Sequence, residues 1–220
     1  MDTRIYNGIT HLSKAYTINN KICNIYIRIA NSDIIDYWCA VIQPEINKDQ
    51  TRADCNWNWK LFTTFHSRIG KLLNQKPKFF TIGVIKNISD FIPLSLIMVT
   101  EKYPYLINKQ EQSSFIWYMS TAPKKIYDTI LQGDDVLKLG LHCIDVGITS
   151  SYNNFNFGRI GLHAAPKGGS RLMAFYEDKC KLKKLNKNVN ISVIRQNDGR
   201  YFYSDIENSL AISKKNDDLR

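Results

Sequence analysis

Two hydrophobic rhythms alternate along this chain. ICNIYIRIA (22–30) sets apolar residues close to every second position, the period of a half-buried strand, whereas SDIIDYWCAVIQ (32–43) opens on a Ser/Asp cap and carries its apolar residues at helical spacing. Trp57, Leu61, Phe65, Ile69 and Leu72 fall on one stripe and predict a long helix from Trp57 to Leu73, stopped by Lys76-Pro77. FFTIGVIK (79–86) and IPLSLIMVT (92–100) are short, rich in β-formers and divided by a polar turn, which predicts an antiparallel pair. FIWYMSTA (115–122), ended by Pro123, is a third predicted strand, and GRIGLHA (158–164) a fourth. Between them Val136, Leu137, Leu141, Ile144 and Ile148 have a helical period over 134–151, with Asp134 or Asp135 near the first turn to complement the helix dipole. SRLMAFYEDKC (170–180) places Leu172, Phe175, Tyr176 and Lys179 on one helical face. NISVIR and RYFYSD predict late strands or edges, and a polar helix closes the chain. Several antiparallel strands followed by strand, helix, strand, helix, strand predict an α/β arrangement with a mixed sheet.

No internal repeat, Pro-rich linker or low-complexity stretch divides the sequence, and the one weak seam is the polar segment PEINKDQTRADCN (44–56). A chain of 220 residues that is 44% hydrophobic has enough apolar material for one substantial core, so a single domain over 1–220 is expected. Thirty Lys+Arg against twenty Asp+Glu, a net charge of +10, favours an anionic ligand, nucleic acid or a membrane surface, although solvated Lys-rich faces are as ordinary an explanation. The five cysteines, at 23, 39, 55, 143 and 180, are scattered without a CxxC pair or a Cys/His cluster of zinc-ligand spacing, so buried thiols of a reducing compartment are expected and no metal. MDTRIYNGITHLSKAY lacks the order of a signal peptide, and no apolar run approaches the roughly 20 residues needed to span a bilayer, so a cytoplasmic location is expected.

Several chemistries find no signature. Gly168-Gly169 is too short for a GxxxxGK[ST] phosphate loop, no GxGxxG follows a strand, and no local pattern marks a cysteine nucleophile. Lys181 to Lys187 and Lys124-Lys125, near aromatics such as Tyr127, have the composition of an RNA-binding face, for which a solvated helix end is the commoner explanation.

The element order, together with GRIGLHAAPKGG, MAFYEDKC and FIWYMSTAP, resembles the GCN5-related N-acetyltransferase (GNAT) family. The resemblance runs from about Arg52 to Leu185 and is strongest over 115–182; RADCNWNWK is also similar to segments of bacterial members, and the N- and C-terminal extensions match nothing. It implies a mixed, mostly antiparallel sheet whose strands splay into a V-shaped gap, where the pantetheine of acetyl-CoA lies as a pseudo-strand. Phe115 to Ala122, including Ser120, Thr121 and Ala122, is then the strand that meets the thioester, and Arg159 to Ala164 its splayed neighbour. The helix between them offers N-terminal amides to the pyrophosphate, as orphan N–H groups and the dipole allow. The corresponding family loop reads Gln/Arg-x-x-Gly-x-Gly/Ala. Asp135-Val136-Leu137-Lys138-Leu139-Gly140 stands there, and only Gly140 fits; Gln132-Gly133 offers another register. Lys138, Leu139, Gly140 and Leu141 are the expected contacts, with Lys124, Lys125 or Lys138 as charge partners.

By the same resemblance Tyr176 is the general acid that protonates the departing thiolate, although FYEDKCKL has Cys180 and Lys181 where Gly-Phe is expected; read from the residues alone, Tyr176 is more readily one further core aromatic on an amphipathic helix. His163 and Glu101 are the candidate bases for removing a proton from the amine, and Ser120 a candidate to polarise the thioester carbonyl. His142 sits mid-helix, and His11 and His66 lie outside the motifs. The expected function is acetyl-CoA-dependent N-acetyl transfer by direct attack in a ternary complex. The acceptor is a small amine, a protein amine or an aminoacyl-tRNA. The alternative is a catalytically degenerate module of this fold that binds nucleic acid or a protein partner.

Overall fold

The computed structural model of the chain describes residues 5–6, 9–10, 14–17, 20–72, 75, 77–85, 91–131, 137–191 and 196–219. Five short strands come first: β1 (Ile5–Tyr6), β2 (Ile9–Thr10), β3 (Lys14–Tyr16), β4 (Ile22–Asn24) and β5 (Tyr26–Ile29). Helices α1 (Ser32–Tyr37), α2 (Gln43–Ile46) and α3 (Trp59–Leu72) follow, and then the long strands β6 (Pro77–Ile85), β7 (Phe91–Pro104) and β8 (Gln112–Thr121). The second half runs α4 (Lys124–Leu131), α5 (Leu139–Asn153), β9 (Ile160–His163), α6 (Gly169–Ala174), β10 (Lys183–Lys184), β11 (Tyr201–Ser204) and α7 (Ile206–Lys214).

Seven strands form one sheet in the order β10-β11-β9-β8-β7-β6-β5, in which β8 and β9 are parallel and every other neighbouring pair is antiparallel. The mixed sheet and the antiparallel β6–β7 pair are as the sequence predicts. β7 is buried from Pro93 to Glu101 along an almost unbroken apolar run, because the sheet is covered on both faces. On one face lies α5, where a Cβ on Gly147 would come within 2.6 Å of Ile116; glycine permits that approach. On the other lies α3 with the preceding turn, where Phe62 stacks on Tyr118 at 3.9 Å and Trp57 meets it edge-on at 5.2 Å.

The registers differ from the expected boundaries in instructive ways. The 22–30 segment is two strands: β4 pairs with β3 in a small hairpin, while β5 joins the edge of the main sheet. The helix expected over 134–151 begins at Leu139, with Lys138 at its N-cap and no side-chain cap, while Asp134 and Asp135 lie outside the described residues. The helices expected over 32–43 and 170–180 each break into a wider turn, at Trp38–Ile42 and Phe175–Lys179. The polar segment 44–56 is no seam: Ile46, Asp54 and Cys55 are buried, and the Gln43 side-chain amide donates to Asn47 Oδ1 and the Asp54 carbonyl, both at 2.9 Å. RYFYSD contributes β11, whereas residues 192–195 of NISVIR lie outside the described residues. All five cysteines are free thiols. No described helix is long and apolar enough to cross a membrane.

Candidate active site

The sheet opens at one place. β8 and β9 keep register through Ser114↔Ile160, Phe115↔Gly161 and Ile116↔Leu162, and there the pairing ends. β8 changes register with its other neighbour at the same point, since Ile116 faces Val99 but Tyr118 faces Met98, leaving Trp117 as the extra residue of a β-bulge. Val99 and Met98 are consecutive and point to opposite faces, so Ile116 turns to α5 and Tyr118 to α3. Past the bulge β8 stays paired with β7 as far as Thr121, but among the described residues no strand pairs with its opposite edge beyond Ile116. A cleft of about 750 Å³ occupies the opening.

Polar groups on the β8 wall satisfy one another. Asp54 is buried beneath the cleft and receives two charge-assisted bonds from Arg52, Nε to Oδ1 at 2.8 Å and Nη2 to Oδ2 at 2.6 Å. The same Arg52 Nη2 donates to the Thr121 carbonyl at 2.7 Å, and Ser120 Oγ donates to Asp54 Oδ2. A carboxylate only accepts, so this bond uses the one hydroxyl proton of Ser120, and none is left for a thioester carbonyl.

The facing wall is built differently. Tyr176 enters from the α5 side, within the wide turn after α6, with its ring centroid 5.5 Å from that of Phe202. It lines the cleft, and among the described residues no hydrogen bond engages its hydroxyl. Burial pushes its phenol well above the usual tyrosine range, with Cys180, Cys143 and Asp54 adding smaller contributions, so the group holds its proton at neutral pH. His163 follows Leu162, the partner of Phe202, and therefore faces the other side of the sheet. Its ring stacks on Tyr201 at 4.3 Å, and Nε2 lies 3.0 and 3.1 Å from the two carboxylate oxygens of Asp198.

The N-terminus of α5 reaches the cleft at Gly140. A Cβ there would stand 2.7 Å from the Phe175 ring, so glycine is what lets α5 and the α6 turn close together. Leu139 is buried, Leu141 donates its N–H to the Lys138 carbonyl at 3.1 Å, and Lys138 Nζ is 3.4 Å from Asn20 Oδ1.

Of the residues singled out from sequence, Tyr176, His163, Ser120, Thr121 and Gly140 line this one cleft. Ala122 is buried just beyond, its N–H donating to the Leu94 carbonyl. Lys124 and Lys125 belong to α4 and pair with Asp128 at 2.6 Å and Glu45 at 3.2 Å. Glu101 is not in the lining: it is buried at the far end of β7, held by Lys78 Nζ at 2.8 Å and Ser150 Oγ at 3.2 Å. Sequence reasoning missed Asp54, Arg52 and Asp198. Their partners lie 66 residues away for Asp54 and Ser120 and 35 for Asp198 and His163, too far for any local spacing to show.

No protein-family model matches the chain, and no curated protein sequence does. Solved structures do match it. An acetyltransferase of the GNAT family from Staphylococcus aureus Mu50 is 14% identical, covers 83% of this chain and 99% of its own, and superposes with a TM-score of 0.51. A spermidine N-acetyltransferase from Vibrio cholerae, solved with CoA and spermine, is 13% identical over 84% of this chain and 98% of its own, with a TM-score of 0.48. A nucleotide-linked sugar GNAT is 12% identical over 93% of each chain, with a TM-score of 0.49. With its seven-stranded, mostly antiparallel sheet opened between one parallel pair, the chain has the fold of the GCN5-related N-acetyltransferases.

Proposed function

We propose that this protein transfers the acetyl group of acetyl-CoA to an amine by direct attack in a ternary complex. The observation that carries the reading is the bulge at Trp117, at the point where β9 ceases to pair with β8, beside a buried phenol with an unengaged hydroxyl. The cleft fits the co-substrate in three respects. Trp117 to Thr121 offer main-chain groups to a pantetheine arm along the edge that β9 leaves, in the manner of an added strand. The first turn of α5, with no side-chain cap, offers the N–H groups of Leu139 and Gly140 to the pyrophosphate. Lys138 stands at the same turn and supplies positive charge.

The two sides of the opening divide the proton work. The amine attacks the thioester carbonyl carbon, a C–N bond forms and the C–S bond breaks. Tyr176 donates its proton to the departing sulfur from the α5 side. His163, on the α3 side, takes the proton that the amine must lose. Exchange with solvent then restores both residues. Ser120 is already committed to Asp54, so it and Arg52 shape the wall and donate nothing to the carbonyl.

Titration of the protein with acetyl-CoA in a calorimeter tests the reading directly. Saturable binding, weakened in Lys138→Glu, is expected. Absence of binding at millimolar acetyl-CoA contradicts it and leaves the alternative of a non-catalytic module.

A further inference from the structure

Resting on that reading, we infer that Asp198 is a positioning residue: it holds the His163 imidazole as the Nε2–H tautomer and so makes Nδ1 the nitrogen that receives the amine's proton. Both oxygens of Asp198 lie at hydrogen-bond distance from Nε2. A carboxylate accepts only, so a neutral imidazole in this geometry must carry its hydrogen on Nε2, and the lone pair is left on Nδ1. Among the described residues nothing bonds to Nδ1.

Asp198 is itself held from several directions. Its Oδ1 accepts the Arg200 N–H at 3.0 Å, closing a turn that continues through Gly199 at φ 77. Arg200 Nη1 then crosses to the Pro166 carbonyl at 2.9 Å, tying this turn to the loop that follows β9. Asn197 anchors the base of the turn through the Asn186 and Val189 carbonyls. Tyr201, stacked on the imidazole, fixes the ring plane. Carboxylate, ring and aromatic platform therefore come from one tight turn, the strand β11 that follows it and the neighbouring β9, and all three line the cleft. When His163 takes up the proton, the imidazolium forms with Asp198 already in contact and needs no rearrangement to be stabilised.

The tautomer is read from the imidazole carbon-13 shifts of histidine-labelled protein at a pH where the ring is neutral, with no acceptor or co-substrate present. The Nε2–H form is expected to predominate in the native chain, and Asp198→Asn, which can donate as well as accept, is expected to shift the population toward Nδ1–H. Predominance of Nδ1–H in the native protein overturns the inference, as does an unchanged ratio in Asp198→Asn. On an acceptor shown to be acetylated, Asp198→Asn should lower kcat by about 10- to 100-fold with acetyl-CoA affinity unchanged; an unaltered kcat also overturns it. Failure of the wider reading would show separately, as absence of acetyl-CoA binding by a protein whose tautomer is as predicted.

Discussion

The two walls of the cleft use their polar groups in opposite ways. On the β8 side Arg52, Asp54, Ser120 and the Thr121 carbonyl are joined in one partly buried set, whose bonds are made before any ligand arrives. Opposite them, Tyr176 and His163 line the cleft, and among the described residues no hydrogen bond engages the Tyr176 hydroxyl or His163 Nδ1. A buried polar group satisfied within the protein stabilises a shape, whereas one left uncommitted beside a cavity is available to a substrate. The proposed chemistry thus belongs to the β9 and α6 wall and the rigidity to the β8 wall. That division distinguishes Tyr176 from Ser120, two hydroxyls lining the same cleft.

Substitutions on the two walls should therefore fail differently. The largest effect is expected for Tyr176→Phe, which keeps the ring packed on Phe202 but removes the donor: turnover should fall by roughly 10- to 10⁴-fold. Acetyl-CoA affinity should hardly move, because the loss belongs to the transition state. Full turnover in that variant would return Tyr176 to the core as a packing residue. Arg52→Ala should act on stability, since it strands the buried Asp54 carboxylate. A loss of about 3 kcal/mol is expected by denaturant titration, and a variant as stable as the parent would show that the β8 wall is not held by this pair. The smallest effect concerns the end of α5. Lys138→Glu should bind acetyl-CoA less tightly than Lys138→Ala by about 1 kcal/mol or less, because the acid adds repulsion at the helix N-terminus to the lost contact. Equal affinities would take Lys138 out of the site.

The parts legible in the sequence are those set by local periodicity. β6, β7 and β8 follow from apolar runs rich in β-formers, and the order of strands and helices gives the mixed sheet. The start of α5 was not legible. Asp134 and Asp135 have the look of a helix start, yet the helix begins at Leu139 behind Lys138, whose side chain makes no capping bond. Nor do the wide turns at Trp38–Ile42 and Phe175–Lys179 leave a mark, because their residues continue the helical spacing while the backbone lengthens its turn. Asp198 illustrates a third cause: it lies on a turn whose role depends on β11 pairing with β9, so that Tyr201 comes opposite His163. Glu101 shows the converse, an acid at the end of an inner strand that sequence nominates and the fold engages with Lys78 and Ser150 instead.

The proposed function requires that the edge of β8 that β9 leaves, together with the first turn of α5, receive acetyl-CoA. Amide hydrogen exchange with and without acetyl-CoA tests it most directly, because it reports which main-chain N–H groups gain partners. New protection is predicted within Trp117 to Thr121 and at Leu139 and Gly140, with β6 and α7 unchanged. Protection confined to other segments, or none at saturating acetyl-CoA, would contradict it.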